Sequence, residues 1–169
     1  MGLRSAITIR PEEASDISAI HAVTAAAFRD MPHSDGSEPV IIDQLRADGD
    51  LVLSLVARDA VQTVGHIAVS PVTISDGSQK WFGLGPVSVA PDFQGQGTGS
   101  ALIYEAIAHM RAQDANGLVL LGNPEFYGRF GFQHDPELVY PGPPSHYFQR
   151  LALSGDEPNG TVSYAPAFA

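Results

Sequence analysis

The chain has 169 residues, which suits one domain with its own hydrophobic core, and we expect a single domain over residues 1–169. The formal net charge is −10 at pH 7, and this acidic balance argues against nucleic-acid binding, which needs clustered lysine and arginine. The absence of cysteine excludes disulfides, thiol nucleophiles and cysteine-ligated zinc.

The composition also bears on location and partners. An acidic surface would attract cationic amines, and it would equally serve solubility alone. No run of about 18 apolar residues occurs, so we predict no membrane-spanning helix and no membrane partner. Residues 1–5 lack the apolar core of a secretory signal. Together these observations predict a cytoplasmic protein.

The elements expected in the first part of the chain are a short strand, two helices and a strand hairpin. Apolar residues repeat at helical spacing in the first helix, and the hairpin turns at Asp59-Ala60. We expect Ser70-Pro71 to end the second strand of the hairpin. The predicted bounds are residues 7–10, 12–28, 40–46, 51–58 and 61–69.

A strand, a glycine-rich loop and a helix follow. The strand ends in Val87, Ser88 and Val89 and is stopped by Pro91. The loop carries glycine at every second position: Gly95, Gly97 and Gly99. The helix behind it has one apolar face: Leu102, Ile103, Ala106, Ile107 and Met110. Strand, loop and helix together predict a helix N-terminus that faces outward from the end of a sheet.

Such a helix N-terminus is an anion site. The first-turn N–H groups have no partner within the helix, and the helix dipole adds partial positive charge. Glycine lets the backbone approach a phosphate and adopt positive φ without steric cost. We therefore expect a phosphate-bearing ligand at this segment, and the alternative is a helix-entry loop without a ligand. The segment comprises Gln94, Gly95, Gln96, Gly97, Thr98, Gly99 and Ser100.

The spacing of the glycines discriminates between phosphate ligands. The dinucleotide pattern G-x-G-x-x-G would need glycine or alanine where Ser100 or Leu102 stands. A P-loop needs a lysine in the loop, whereas the one lysine of the chain, Lys80, lies outside it. The pattern that fits is Gln-x-x-Gly-x-Gly, which begins at Gln94. It resembles the pyrophosphate loop of the GNAT N-acetyltransferases, which bind coenzyme A.

A second motif supports this resemblance. Residues 118–121 predict a buried strand, and Asn123-Pro124 then predicts the start of a short helix. The run from Phe126 to Phe132 resembles the family signature Phe-Tyr-x-x-x-Gly-Phe, whose tyrosine faces the sulfur of coenzyme A. The alternative for Tyr127 is a core aromatic residue with its hydroxyl hydrogen-bonded. With both motifs in this order, the chain resembles the YhbS-like branch of predicted acetyltransferases.

The order of the elements predicts an α/β (α+β) fold with helices on both faces of a mixed sheet. The resemblance implies the GNAT-type fold, with a mostly antiparallel central sheet of about seven strands. Further strands are predicted at residues 147–153 and 160–164. The last strand could pair at an exposed edge, so a homodimer and a monomer both stay open.

The resemblance implies transfer of an acetyl group from acetyl-CoA to a primary amine of a small molecule or peptide. It assigns further cofactor contacts to Val87, Ser88, Val89, Asn123, Phe126 and Tyr127. A backbone N–H of the strand is also the natural donor to the reacting acyl oxygen. The alternatives are a non-catalytic acyl-CoA binding module and a phosphate-binding domain of another fold.

The candidate catalytic groups are Tyr127 and His66. Tyr127 would donate a proton to the departing thiolate, and the unperturbed pKa of a histidine would suit a general base at His66. A histidine in an apolar strand is also a common structural residue. Many family members carry a glutamate on the fourth strand, but residues 82–89 contain no carboxylate, so a water chain is a further alternative.

The polar segment at residues 31–39 corresponds to the family's acceptor region, where His33, Asp35 and Glu38 could contact an amine or be solvated. We expect no metal, because four of the histidines lack ligand spacing. These are His21, His109, His134 and His146.

Overall fold

The computed structural model describes residues 6–155 and 157–169. The prediction about residues 1–5 lies outside these described residues. The chain divides into two compact units, Met1–Val69 with Pro86–Ile107, and Ser70–Gly85 with Ala108–Ala169. That residues 1–169 form one domain stays a prediction. No helix in the described ranges has the length and apolar character that a membrane crossing requires.

The described residues form eight strands and four α-helices, joined by short 3₁₀ turns. The strands are β1 (Thr8–Pro11), β2 (Leu53–Arg58), β3 (Thr63–Ile74), β4 (Trp81–Val89), β5 (Gly117–Leu121), β6 (Leu138–Val139), β7 (Phe148–Ala152) and β8 (Gly160–Tyr164). The helices are α1 (Ile17–Phe28), α2 (Glu38–Asp48), α3 (Thr98–Ala112) and α4 (Pro124–Tyr127). The strand order is β1-β2-β3-β4-β5-β7, with β8 paired to β3 and β6 paired to β8. The mixed sheet is therefore confirmed, with eight strands where about seven were expected.

In the first unit, helices cover both faces of the sheet. β2 and β3 are antiparallel, and their register puts Val56 opposite His66 and Ser54 opposite Ala68 on one face. Buried Val56 and Ala68 pack there against one residue each of α1 and α2, Ile20 and Ile42. On the other face a Cβ at Gly65 would lie 3.0 Å from Leu102 of α3. Glycine at this position therefore allows α3 to approach the sheet closely.

The second unit has its own core. Trp81 at the start of β4 pairs in parallel with Gly117 of β5, and β5 pairs antiparallel with β7. A Cβ at Gly117 would overlap the Trp81 ring, so the indole occupies the space that a side chain would fill. The buried residues of this core are Val72, Ile74, Trp81, Val119, Leu138, Phe148 and Val162.

Several predicted bounds need correction. The first helix begins at Ile17 rather than at residue 12, because a 3₁₀ turn precedes it and the Glu13 N–H donates to Asp16 Oδ2 at 2.7 Å. The second helix is longer than predicted, since it begins at Glu38 and ends at Asp48, where the following Gly49, with a φ of 76°, stops it. In β5, Leu118 is buried but Leu121 is 40% exposed, so the prediction of a fully buried strand was wrong at its last residue.

The prediction that Ser70-Pro71 ends the hairpin strand is wrong. β3 continues to Ile74 and changes its partner on the way: its first part pairs with β2, and Val72 to Ile74 pair with β8. Pro71 lies at this change of partner, where its missing N–H costs least. β8 therefore pairs with β3 on one side, and its first residues pair with β6 on the other. The expected open edge at residues 160–164 is at least partly covered.

Candidate functional site

The glycine loop follows β4 directly and is held by side-chain bonds to its own backbone. Gln94 Nε2 donates to the carbonyl oxygen of Val89 at 3.0 Å, and Gln96 Nε2 donates to that of Asp92 at 3.3 Å. The first bond folds the loop back on the end of β4, and the second folds it back on the 3₁₀ turn that follows β4. Gln94 of the motif and Gln96 at a variable position therefore both shape the loop in this structure.

Gly95 and Gly97 are required by backbone conformation. Their φ values are 75° and 88°, in the left-handed region that L side chains rarely adopt. A Cβ at either position would meet no atom within 4 Å, so the space beside the loop is open. Glycine at these two positions therefore gives the backbone its curvature and leaves a cradle beside it, which fits a ligand phosphate.

The α3 N-terminus presents the amides that such a phosphate needs. The Ala101 N–H donates to the carbonyl of Gly97 at 3.0 Å, which is the first bond of the helix. The amides of Thr98, Gly99 and Ser100 precede it, and by helix geometry they have no acceptor within α3. Gln94 to Gly97 are exposed to solvent, Gly99 and Ser100 are half-buried, and Thr98 is buried.

The end of β4 lies against this loop and against β3. Val87 and Val89 are half-buried, and Ser88 is buried with no hydrogen-bond partner for Oγ among the described residues. The Ala90 N–H donates to Val64 O at 2.8 Å, and a Cβ at Gly65 would lie 3.0 Å from the Ser88 carbonyl oxygen and 3.4 Å from Thr98 Cγ2. Val64 and Gly65 of β3 are thus neighbours of the end of β4, and Gly65 is also a neighbour of the helix N-terminus.

The second motif forms α4 in the other unit. Asn123 caps the helix, because its side chain accepts from the Glu125 N–H at 2.9 Å. The Tyr127 ring packs against Phe126, with centroids 4.9 Å apart at 87°. A Cβ at Gly122 would overlap the Tyr127 ring. Burial raises the pKa of Tyr127, so the phenol keeps its proton at neutral pH.

His66 lies in a polar cluster in the first unit that we call the Glu12 cluster, made of Glu12, Arg46, Ser54 and His66. His66 is 0% exposed, its Nε2 lies 2.7 Å from Ser54 Oγ, and its Nδ1 has no partner among the described residues. Ser54 Oγ makes a short hydrogen bond to Glu12 Oε1. Arg46 closes the cluster with hydrogen bonds of 3.0 and 2.9 Å to the two oxygens of Glu12.

The charges of the Glu12 cluster are set by burial and by pairing. Burial raises the pKa of Glu12, but the hydrogen bonds of Arg46 and Ser54 outweigh it and hold the pKa below its ordinary value. Burial lowers the pKa of His66 to about 4, against the opposing attraction of Glu12. At neutral pH the cluster therefore holds an ionised Glu12, a charged Arg46 and a neutral His66.

Comparison with known proteins decides the family. Residues 51–134 match the family model of the acetyltransferase (GNAT) domain. The chain is 36% identical to the uncharacterized N-acetyltransferase YhbS of Escherichia coli K12, over 91% of this chain and 92% of YhbS. The chain belongs to the GNAT acetyltransferase family. The resemblance drawn from the Gln94 and Tyr127 motifs is thereby confirmed, including its YhbS-like branch.

Solved GNAT structures share this fold. A GNAT acetyltransferase of Brucella melitensis, crystallised in complex with acetyl-CoA, superposes with a TM-score of 0.87 and 44% identity over 98% of this chain and all of that one. The crystal structure of E. coli YhbS in complex with CoA also gives a TM-score of 0.87, with 30% identity in the structural alignment over 99% of this chain and 94% of YhbS. The GNAT fold expected from the sequence is confirmed.

The predicted acceptor residues of this GNAT chain lie in the connection from α1 to α2. Asp35 accepts hydrogen bonds from the amide and hydroxyl of Ser37, and these bonds lower its pKa. Glu38 accepts from Ser34 Oγ at 2.7 Å, and His33 is exposed. Both carboxylates thus organise their own turn, and a contact with an acceptor amine stays a prediction.

Sequence analysis did not identify Glu12, Arg46 and Ser54. One signal was available: Ser54 and His66 are polar residues in otherwise apolar strands, and a hairpin register of two antiparallel strands brings such residues onto one face. Glu12 follows β1 and Arg46 lies late in α2, so their approach depends on how these elements pack on the hairpin.

Proposed function

We propose that this chain is an acetyl-CoA-dependent N-acetyltransferase acting on a primary amine of a small molecule or peptide. The observation that supports it most directly is the open cradle of Gly95 and Gly97 at the N-terminus of α3. The B. melitensis protein, 44% identical, is known in complex with acetyl-CoA. An acidic chain needs such a local arrangement of backbone amides to hold an anionic cofactor.

The residues present fit the parts of the cofactor. The amides from Gln94 to Ser100 would bind the pyrophosphate, and the end of β4 at Val87, Ser88 and Val89 would pair with the pantetheine arm. Asn123, Phe126 and Tyr127 are assigned further contacts by the family resemblance. When bound, acetyl-CoA supplies an activated acetyl thioester that an amine can attack directly. Holding both partners at once makes that attack effectively unimolecular.

Two of the three proton transfers that the reaction needs are assigned to side chains of this chain. An acceptor ammonium, with an ordinary pKa near ~10.4, must lose one proton before its lone pair is free and a second as the C–N bond forms. Tyr127, still protonated because burial raises its pKa, would hold the proton that the thiol product needs. The first proton is released to bulk water. The second is the one that we assign to His66, by way of water, because the ring is 0% exposed.

The remaining assignments stay predictions of the sequence: a cytoplasmic location, an acceptor region at residues 31–39, and either a monomer or a homodimer. A non-catalytic acyl-CoA binding module is the competing function within the same family. Such a module would bind acetyl-CoA through the same loop but would not transfer the acetyl group, so binding and turnover must be measured separately.

The first experiment is thermal unfolding of the purified protein with and without acetyl-CoA. A ligand at a hundred times its Kd adds about 2.7 kcal/mol to the free energy of unfolding, which for this size is a rise in Tm of about 5–10 °C. No rise at millimolar acetyl-CoA would contradict the proposal. Release of free CoA thiol with a panel of amines then separates the enzyme from the binding module, which would be stabilised without turnover.

A further inference from the structure

The hydrogen bonds of the Glu12 cluster determine which ring nitrogen of His66 carries the proton. Ionised Glu12 can only accept, so the short bond between Ser54 and Glu12 uses the single proton of the Ser54 hydroxyl. Ser54 then has no proton left for His66, which lies 2.7 Å away on the other side. His66 Nε2 must therefore be the donor in that bond. The neutral ring carries its proton on Nε2 and presents a bare lone pair at Nδ1.

That lone pair is unused in the structure. His66 Nδ1 is buried and has no hydrogen-bond partner among the described residues. A buried acceptor without a partner costs free energy, and such groups concentrate where a protein uses them. Val64 and Gly65, which precede His66 on β3, contact residues 88–90 of β4, the segment to which we assign the pantetheine arm. The His66 side chain lies on the face of the sheet that α1 and α2 cover, opposite to α3. The lone pair is therefore one residue along β3 from the contacts with that segment.

We propose that Glu12 and Ser54 are a positioning pair that holds His66 in the Nε2–H tautomer and so keeps Nδ1 free to accept the proton of the reacting nitrogen. The inference rests on the proposed function. In the step itself, the nitrogen that bonds to the acyl carbon loses one proton to an intervening water, that water passes a proton to Nδ1, and the imidazolium later returns it to water. Glu12 stabilises the transient imidazolium by its negative charge, through Ser54.

The charges around His66 come from every element that packs on its face of the hairpin. Ser54 is on β2, Glu12 follows β1, and Arg46 is on α2. Asp43, also on α2, accepts from Arg46 at 3.3 Å and lies 2.9 Å from His21 of α1. Glu12 favours a charged His66 and Arg46 opposes it. The bidentate pairing of Arg46 with Glu12 therefore weakens the influence of each charge on His66, and removal of Glu12 leaves Asp43 as the carboxylate paired with Arg46.

The direct test is ¹⁵N NMR of the imidazoles in the full-length protein near pH 7. The chain has six histidines, and His66→Gln identifies the signals of His66 by their loss. We expect a protonated Nε2 and an unprotonated Nδ1. Ser54→Ala should release the ring into a mixture of tautomers, and Glu12→Gln should keep the tautomer because the amide oxygen still accepts from Ser54. A wild-type ring protonated at Nδ1 would overturn the proposal.

Kinetics test the consequence for turnover. We expect kcat to fall about tenfold or more in both Ser54→Ala and Glu12→Gln, with the KM for acetyl-CoA within about twofold. Ser54→Thr keeps the hydroxyl and should restore kcat. Ser70→Ala serves as the matched control, because it also removes a buried serine hydroxyl, but one that lies on β3 outside the Glu12 cluster. This variant should behave as wild type. Unchanged kcat in Ser54→Ala would also overturn the proposal.

The two proposals fail in distinguishable ways. The tautomer is measured without turnover, whereas the proposed function depends on acetyl-CoA binding and thiol release. A protein that holds Nε2–H but is not stabilised by acetyl-CoA contradicts the proposed function and supports the positioning of the ring. A protein that acetylates amines while its His66 carries the proton on Nδ1 contradicts the positioning pair alone.

Discussion

Arg46 donates two hydrogen bonds to the carboxylate of Glu12, from Nε at 3.0 Å and from Nη2 at 2.9 Å, although the two residues are 34 positions apart. The pair joins the segment after β1 to the last turn of α2, and both side chains are about four-fifths buried, with 23% and 19% of their surfaces exposed. A planar guanidinium suits this arrangement, because its donors match the two carboxylate oxygens.

We expect Glu12→Ala to lower the free energy of unfolding by about 2–3 kcal/mol. The substitution leaves the partly buried charge of Arg46 with only the 3.3 Å contact to Asp43, and it removes the acceptor of Ser54. Urea unfolding at pH 7 measures the change. Glu157→Ala, at an exposed position, is the control and should change stability by less than about 0.5 kcal/mol. Equal effects of the two variants would contradict the structural role of the pair.

We expect Gly97→Glu to abolish acetyl-CoA binding. The φ of 88° strains any L side chain, and the carboxylate would enter the space assigned to the pyrophosphate. Calorimetric titration with acetyl-CoA measures the loss. Gly77→Glu is a matched control, since Gly77 has a φ of 85° and open space around it but lies in the turn after β3. Gly77→Glu should lose as much stability as Gly97→Glu but keep the affinity for acetyl-CoA. If Gly97→Glu also kept that affinity, the loop would not be the pyrophosphate site.

We expect Tyr127→Phe to keep acetyl-CoA binding and to lower kcat about 10²-fold. The ring packing against Phe126 and Gly122 survives, because only the hydroxyl is lost. Since burial raises the pKa of Tyr127, kcat should show no loss from deprotonation of this group up to about pH 10. Tyr140→Phe, which removes the hydroxyl of another partly buried tyrosine, is the control. A wild-type kcat in Tyr127→Phe would reduce Tyr127 to a packing role.

The pKa of His66 gives stability a defined pH dependence. The folded pKa is about 4 against an ordinary 6.5, so the unfolded chain takes up this proton first as pH falls. Above pH 6.5 the neutral form of His66 contributes about 3 kcal/mol to the free energy of unfolding. This contribution is lost progressively as the pH falls toward 4. Urea midpoints between pH 7 and pH 5 measure the slope. His66→Gln should flatten it, and an unchanged slope in that variant would assign the effect to other groups.

Sequence reasoning was effective where the signal is local. The curvature of the loop at Gly95 and Gly97 and the buried face of α3 both follow from residues within a few positions of each other. The cap of α4 by Asn123 is equally local. Each of these features depends on backbone conformation or helical periodicity, which a short stretch of sequence determines.

The features that sequence reasoning missed depend on distant pairing. β3 runs through Pro71 because β8 supplies a second partner, and nothing near Pro71 indicates a strand so far along the chain. Ser54 resembled an ordinary strand residue because its partners, Glu12 and His66, come from the segment after β1 and from β3. Polar clusters of this kind appear only when the packing of several elements is known.

The change of partner within β3 has a consequence for synthesis of the chain. The first half of β3 pairs with β2, which is already made when β3 emerges, whereas Val72, Thr73 and Ile74 must wait for β8. Most of the second unit is translated in between, and during that time the edge of Val72 to Ile74 that faces β8 has no strand partner, although β3 can already pair with β4. The apolar side chains that later pack against Val162 of β8 are uncovered. A ribosome-bound chain that stops before β8 should therefore expose a hydrophobic strand end to chaperones, while the Glu12 cluster is already able to form.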